Sequence, residues 1–190
     1  MHQYDYIVVG AGSAGSALAN RLSESGKFTV CLLEAGGSDK KFWVQMPLGY
    51  GKVFHDPSVN WRYMTEPEPN LDNQSVYWPR GKVLGGSSSI NAMVWVRGHK
   101  RDYDEWNSVA PGWGWDNVQK IFNRIENWDG TSNISRGTNG PQPVHDVSSD
   151  VHPLTISYLK AASQVGIKTN ADYNGPNMEG ASCYQISTKG

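Results

Sequence analysis

Three glycines with the spacing G-x-G-x-x-G stand between an apolar run at residues 4–9 and an alanine- and leucine-rich run at residues 16–25. The first run predicts a short buried strand, and the second predicts a helix. Gly10 permits a tight turn, Gly12 lets the backbone approach a pyrophosphate, and Gly15 lets the helix pack closely on the strand. Backbone N–H groups at the start of that helix would hold the phosphates. The pattern therefore predicts a phosphate-binding turn.

A second strand and an acidic residue complete this unit. Residues 28–33 predict another buried strand, and Glu34 follows it at about the 20-residue distance that dinucleotide sites use. A carboxylate there can accept hydrogen bonds from adenosine ribose hydroxyls, and it would repel a 2′-phosphate. The simpler alternative for Glu34 is a solvated acid at the end of a strand. Residues 4–37 thus predict a parallel βαβ unit that binds a dinucleotide, with FAD and NAD both open.

The rest of the chain is less regular. Prolines scattered through residues 38–79 predict a long ordered excursion rather than regular elements. Residues 102–106, 115–127 and 153–165 predict helices, because their apolar residues recur at helical spacing. Residues 129–140 are polar and glycine-rich, which predicts a surface loop. The predicted fold class is α/β.

Composition narrows the function classes. The chain has 17 Lys+Arg and 18 Asp+Glu, which gives no reason to expect a nucleic-acid or anionic-membrane partner. No apolar run approaches the roughly 18 residues of a membrane span, and the first residues lack the features of a signal peptide. The two cysteines, Cys31 and Cys183, show no metal-ligand spacing and no disulfide framework. We expect a cytoplasmic protein without a metal site.

A second glycine cluster lies in residues 80–104, which read RGKVLGGSSSINAMVWVRGHKRDYD. This segment resembles the first signature of the glucose–methanol–choline (GMC) oxidoreductases, and the resemblance extends over essentially the whole chain. The closest similarity is to choline-dehydrogenase-like members. The positions that agree are Gly81, Lys82, Leu84, Gly85, Gly86, Ser87, Ser88, Ile90, Asn91, Trp95, Gly98 and Asp104.

The resemblance implies a Rossmann-like FAD-binding domain, in which the second glycine cluster runs beside the flavin. The implied cofactor contacts, with those of the first motif, are Gly10, Gly12, Ser13, Ala14, Gly15, Glu34, Ala35, Arg80, Val83, Gly86, Ser87, Asn91, Ala92, Met93 and Val94. A bland alternative for the serines is a well-capped helix N-terminus. Some family members attach FAD covalently through a histidine at the position that Ile90 occupies here. We therefore expect noncovalent FAD.

The activity that the resemblance implies is oxidation of an alcohol such as choline or another primary alcohol, with hydride transfer to flavin N5. Oxygen and a quinone or other acceptor both stay open as electron acceptors. The family's catalytic histidine stands near the carboxyl end of a much longer chain. None of the five histidines here has that context, so no catalytic residue is assigned. His99, at the end of the signature, is the nearest candidate, and a structural role is expected for it.

Other interpretations compete with this one. A family lyase that keeps FAD without redox chemistry, or a noncatalytic FAD-binding fragment, would share every motif described so far. A short-chain NAD dehydrogenase is disfavoured because its Tyr-x-x-x-Lys pair does not occur in the chain. Trp61, Trp95 and Trp113 could line a substrate pocket, although tryptophans more often simply pack.

The expected domain organisation is an incomplete FAD-binding domain over residues 1–150 and the beginning of an α+β substrate-binding domain over residues 151–190. Because the family assembles its FAD domain from separated segments, we expect this chain to be an N-terminal fragment of a longer protein.

Overall fold

The computed structural model describes residues 2–131 and 135–188. The chain divides into two compact units, Met1–Ala92 and Met93–Gly190. The division between residues 92 and 93 does not coincide with the predicted domain boundary at residue 150. That boundary concerns the domains of the whole protein, and it remains a prediction. Among the described residues, no helix has both the length and the apolar character that crossing a membrane would require.

The first unit begins with the predicted βαβ arrangement. Strand β1 (Tyr6–Val9) pairs in parallel with strand β2 (Val30–Leu33), and helix α1 (Ser13–Ser23) connects them. The register places Tyr6 beside Val30 and Val9 beside Leu33. Helix α1 begins three residues before the predicted start, since Gly12 already serves as its N-cap. Both predicted strands and the helix are confirmed.

The excursion after β2 contains only short elements, as its prolines predict. They are helices α2 (Phe42–Gln45) and α3 (Tyr50–Val53), and the antiparallel strands β3 (Tyr63–Met64) and β4 (Tyr77–Trp78). The segment folds around a small apolar cluster formed by Val53, Val59, Val83 and Ile90, with Val44 packed against it. This cluster joins the excursion to the second glycine cluster, so the two form one body.

The second unit combines helices with a small mixed sheet. Helices α4 (Lys100–Val109), α5 (Trp115–Ile125) and α6 (Pro153–Gln164) confirm the three helices that the sequence predicts. Strands β5 (Glu126–Trp128), β6 (Gln142–Asp146) and β7 (Gln185–Ile186) form a sheet in that order, with β5 parallel and β7 antiparallel to β6. The structure matches the predicted mixed α/β class.

The predicted surface loop at residues 129–140 is only partly a surface loop. The side chain of Arg136 is fully buried, and its guanidinium contacts Glu126 at 2.7 Å and Asp172 at 2.6 Å. Arg97 forms a further buried ion pair with Glu126. Burial lowers the pKa of the Arg97 guanidinium, although the Glu126 carboxylate acts in the opposite direction. The prediction was wrong for Arg136, because partners distant in sequence offset the cost of burying its charge.

Candidate cofactor-binding site

A cavity of about 640 Å³ lies in the first unit, at the carboxyl ends of β1 and β2. In open α/β sheets this is where ligands bind. Its walls come from the glycine turn, the end of β2, the segment that leads into β3, and the second glycine cluster. The lining residues are Val9, Gly10, Gly12, Leu33, Glu34, Ala35, Trp61, Tyr63, Arg80, Gly81, Gly86 and Ser87.

The glycine turn has the geometry that its spacing predicts. Gly10 has a φ of +93°, and its N–H donates to the carbonyl of Leu33 at 2.7 Å. A Cβ on Gly15 would lie 1.9 Å from the carbonyl oxygen of Gly10, so only glycine allows α1 to pack this closely on the turn. No side chain caps the N-terminus of α1. Its first N–H groups have no intrahelical acceptor and can bind an anion.

The two glycine clusters, distant in sequence, are in direct contact. Gly12 and Gly85 form a parallel bridge, and the Gly85 N–H donates to the Ala11 carbonyl at 2.8 Å. Gly86 has a φ of +58°, and a Cβ there would lie 2.8 Å from the Cα of Gly12. The absence of side chains at these positions leaves backbone on both sides of the contact. The N–H groups of Gly10, Ala11, Gly85 and Gly86 are already bonded within the protein, so the donors that fit a pyrophosphate are the first N–H groups of α1.

Glu34 is held by the glycine turn at the end of β2. One carboxylate oxygen accepts the Ala11 N–H at 2.8 Å, and the other accepts the Gly36 N–H at 2.8 Å. The carboxylate is therefore not simply a solvated acid. A carboxylate offers about four acceptor sites, so both oxygens can still accept hydrogen bonds from ribose hydroxyls. That contact remains a prediction.

An aromatic and cationic wall faces the cavity, and the sequence patterns did not assign it to the cofactor. The rings of Trp61 and Tyr63 stack with centroids 5.9 Å apart and planes 6° apart. The ammonium of Lys82 lies 4.6 Å from the Trp61 ring centroid. Arg80, which the family resemblance implied as a cofactor contact, extends this wall. The left-handed Arg62 between the two rings breaks strand alternation, so no local sequence pattern predicts that they share a face.

The structure brings together about half of the predicted contact residues. Those that line the cavity are Gly10, Gly12, Glu34, Ala35, Arg80, Gly86 and Ser87. Ser13 and Ala14 begin α1, and Gly15 packs beneath the turn. Val83 is fully buried in the apolar cluster, so its side chain does not face the cavity. Its contact with the cofactor remains a prediction.

The remaining predicted contacts follow the second glycine cluster. Asn91 and Ala92 end the first unit, and Met93 and Val94 begin the second. Met93 has a φ of +60°, and its carbonyl accepts hydrogen bonds from the N–H and hydroxyl of Ser187 at 2.7 and 3.0 Å. Their contacts with the cofactor remain predictions.

No histidine lies among the residues that line the cavity in the described chain. His99 is the N-cap of α4. Its ring Nδ1 accepts the Arg101 backbone N–H at 3.1 Å, and its backbone N–H donates to the Asp102 carboxylate at 3.1 Å. This is the structural role that we expected. The described residues contain no cluster of three or more His, Cys, Asp or Glu side chains arranged for a metal.

The parallel βαβ unit, its glycine turn, the strand-end glutamate and the adjoining cavity define a dinucleotide-binding protein of the Rossmann type. Comparison with protein families identifies the family within this class. The family model for the GMC oxidoreductases matches residues 4–190, and the chain therefore belongs to the glucose–methanol–choline oxidoreductase family. The predicted family is confirmed.

Known proteins of similar sequence agree with this assignment. The chain is 44% identical over 188 residues to an alcohol dehydrogenase [acceptor] of Pseudomonas putida, covering 98% of this chain and 34% of that protein. It is 46% identical over 179 residues to an oxygen-dependent choline dehydrogenase of Rhizobium etli, covering 94% of this chain and 32% of that protein. The chain thus spans about a third of the length of the curated relatives it matches.

Solved structures share the fold over nearly all of the chain. A pyridoxine 4-oxidase from Mesorbium loti superposes with a TM-score of 0.91 at 31% identity, covering 98% of this chain and 37% of that one. A formate oxidase superposes with a TM-score of 0.84 at 26% identity, covering 96% of this chain and 34% of that one.

Proposed function

We propose that this chain forms the FAD-binding part of a flavin-dependent oxidoreductase that acts on an alcohol. The observation that carries the proposal is the contact between the two glycine clusters beside Glu34. The glycines there carry no side chains, and Glu34, held by the Ala11 and Gly36 N–H groups, lines the same cavity. Membership in the GMC oxidoreductase family supports FAD rather than NAD as the dinucleotide.

The residues of this chain bind and orient the cofactor. The free N–H groups at the start of α1, with the positive end of the helix dipole, bind the pyrophosphate. Glu34 accepts hydrogen bonds from the adenosine ribose, and the carboxylate excludes a 2′-phosphate. Bound FAD supplies the hydride acceptor for oxidation of a CH–OH group. The chain contributes no assigned catalytic base.

We propose that FAD is held without a covalent bond. The support is Ile90, at the position where some family members carry the attachment histidine. Its side chain is 4% exposed and packs in the apolar cluster with Val53, Val59 and Val83. It has no nucleophilic atom, and it does not line the cavity.

The proposed substrate is choline or another primary alcohol. The support comes from relatives whose names are alcohol dehydrogenase and choline dehydrogenase, at 44% and 46% identity. The proposed electron acceptor is oxygen or a quinone-like compound, and both acceptors stay open.

Flavin reduction under anaerobic conditions tests this proposal. The full-length protein is mixed with choline, or with a series of primary alcohols, and the visible flavin bands are followed. Bleaching by an alcohol is expected, because hydride transfer reduces the flavin. Trimethylglycine is the matched control, since it keeps the quaternary ammonium and lacks the CH–OH group. A flavin that no alcohol reduces would contradict the redox proposal and favour a lyase that keeps FAD.

A further inference from the structure

We propose that Asn60 is a positioning residue for the cofactor, because it joins the two segments that form the aromatic and cationic wall of the cavity. The proposal rests on the proposed function, since it assumes that a dinucleotide occupies that cavity. Asn60 itself does not line the cavity. Its side chain is buried, with the residue only 2% exposed.

The side-chain amide of Asn60 forms hydrogen bonds with both segments of the wall. Its Oδ1 accepts the Arg62 N–H at 2.9 Å and the Arg80 N–H at 3.0 Å. Its Nδ2 donates to the Phe54 carbonyl at 2.9 Å and to the Tyr77 hydroxyl at 3.3 Å. One buried side chain thus holds the backbone of two chain segments and anchors them to the turn after α3.

The first of these segments carries the stacked rings. Arg62 lies between Trp61 and Tyr63, and its φ of +58° is in the left-handed region that residues other than glycine rarely adopt. The hydrogen bond from its N–H to Asn60 stabilises this conformation. Without that acceptor, Arg62 would relax toward ordinary backbone angles, and the two rings on either side would leave their positions at the cavity.

The second segment carries the cationic residues. Backbone bonds already pair it with the first: the Trp61 N–H donates to the Arg80 carbonyl at 2.9 Å, and the Lys82 N–H donates to the Val59 carbonyl at 2.7 Å. Asn60 adds the bond to the Arg80 N–H. This pairing sets the Lys82 ammonium 4.6 Å from the Trp61 ring centroid, so the aromatic and cationic groups form one surface.

A merely structural asparagine would lower stability without a specific effect on the ligand. Val59 provides the matched comparison. It is adjacent in sequence and fully buried, and its side chain packs in the apolar cluster and does not line the cavity. Val59→Ala therefore destabilises the same unit while leaving the hydrogen bonds of Asn60 in place.

The test measures FAD dissociation constants for the full-length apoprotein, by quenching of flavin fluorescence, at a temperature where circular dichroism shows each variant folded. Asn60→Ala is expected to weaken FAD binding by about tenfold or more, because two backbone amides lose their acceptor. Val59→Ala is expected to stay within about threefold of the wild type. If Asn60→Ala does not fold, Asn60→Ser replaces it, because the shorter side chain cannot reach both amides.

Two results would overturn the inference: wild-type affinity in the variant that lacks the Asn60 amide, or an equal loss of affinity in Val59→Ala. Wild-type protein that binds no FAD would instead contradict the proposed function, so the two failures are distinguishable.

Discussion

Gly86 lies against Gly12 so closely that a Cβ on Gly86 would be 2.8 Å from the Cα of Gly12. The two residues belong to different glycine clusters, and a parallel bridge between Gly12 and Gly85 continues the contact. The phosphate-binding turn is therefore one half of a two-part cradle, and the second glycine cluster forms the other half.

Gly86→Ala should weaken FAD binding by about tenfold or more, since the new methyl group forces the two backbones apart and strains a left-handed residue. The FAD dissociation constant of the apoprotein measures this effect. Gly51→Ala is the control, because Gly51 lies in α3 and a Cβ there meets no atom within 4 Å. Equal affinities in the two variants would contradict the two-part cradle.

Glu34→Gln should both loosen the glycine turn and weaken FAD binding. The amide retains one oxygen, so it cannot accept the N–H groups of both Ala11 and Gly36, and a loss of about 1–3 kcal/mol in the free energy of unfolding is expected. Thermal unfolding without cofactor and titration with FAD measure the two effects. Glu24→Gln, whose side chain is 61% exposed in a surface pair with Arg21, should leave both unchanged.

Acid precipitation of the purified holoprotein should release all of its flavin into the supernatant, since Ile90 offers no atom for attachment. The absorbance of pellet and supernatant measures the distribution. Yellow colour that stays with the washed pellet would show a covalent bond and contradict this prediction.

Glu126→Gln should destabilise the second unit strongly. Glu126 is fully buried and pairs with both Arg97 and Arg136, so the neutral amide leaves buried positive charge unbalanced, at a cost of about 3 kcal/mol or more. Chemical unfolding followed by tryptophan fluorescence measures the loss. Glu179→Gln, at an exposed position, should change the free energy of unfolding by less than about 0.5 kcal/mol.

His145 should titrate above the ordinary range for histidine. Its Nδ1 lies 2.5 Å from Asp129 Oδ2, and its Nε2 lies 3.1 Å from the Thr188 carbonyl oxygen. Both partners are acceptors, and only the imidazolium can donate to both. The Asp129 hydrogen bond chiefly raises the pKa of His145, against a smaller opposing effect of burial. Burial alone would raise the pKa of Asp129, but its bonds with His145 and the Asp146 N–H outweigh this and lower it.

The sign of the pH dependence follows from these shifts. The His145 contribution to stability is complete below the ordinary pKa of histidine, and it is lost as pH rises through the raised value. The Asp129 contribution is present above the ordinary pKa of aspartate and is lost as pH falls through the lowered value. Proton NMR of the His145 ring measures its pKa, and Asp129→Asn should move it back toward the ordinary range. An unchanged pKa in that variant would contradict the assignment.

Local patterns were enough to predict the βαβ unit and the glycine turn, because the residues involved are close in sequence and the glycines stand between a strand and a helix, with Glu34 after the second strand. The same is true of α4, α5 and α6. The contact between Gly12 and Gly86 was not predicted. Nothing local pairs the two clusters, and the family resemblance placed both beside the cofactor without pairing them.

The features that sequence patterns missed depend on partners far along the chain. Asn60 has no local signal that distinguishes it from a loop asparagine, and its importance comes from the Arg80 N–H. Arg136 stands in a polar, glycine-rich stretch that is typical of a surface, and its burial depends on Glu126 and Asp172. Such side chains are assigned by tertiary contacts rather than by periodicity.

The central claim, that the cavity lined by the two glycine clusters and Glu34 binds FAD, is tested most directly by the visible spectrum of the purified full-length protein and the mass of the cofactor it releases on denaturation. Our account predicts flavin bands that disappear from the protein on denaturation, with FAD recovered at about one molecule per chain. A colourless protein that takes up no FAD on titration, or one that releases a nicotinamide dinucleotide instead, would contradict it.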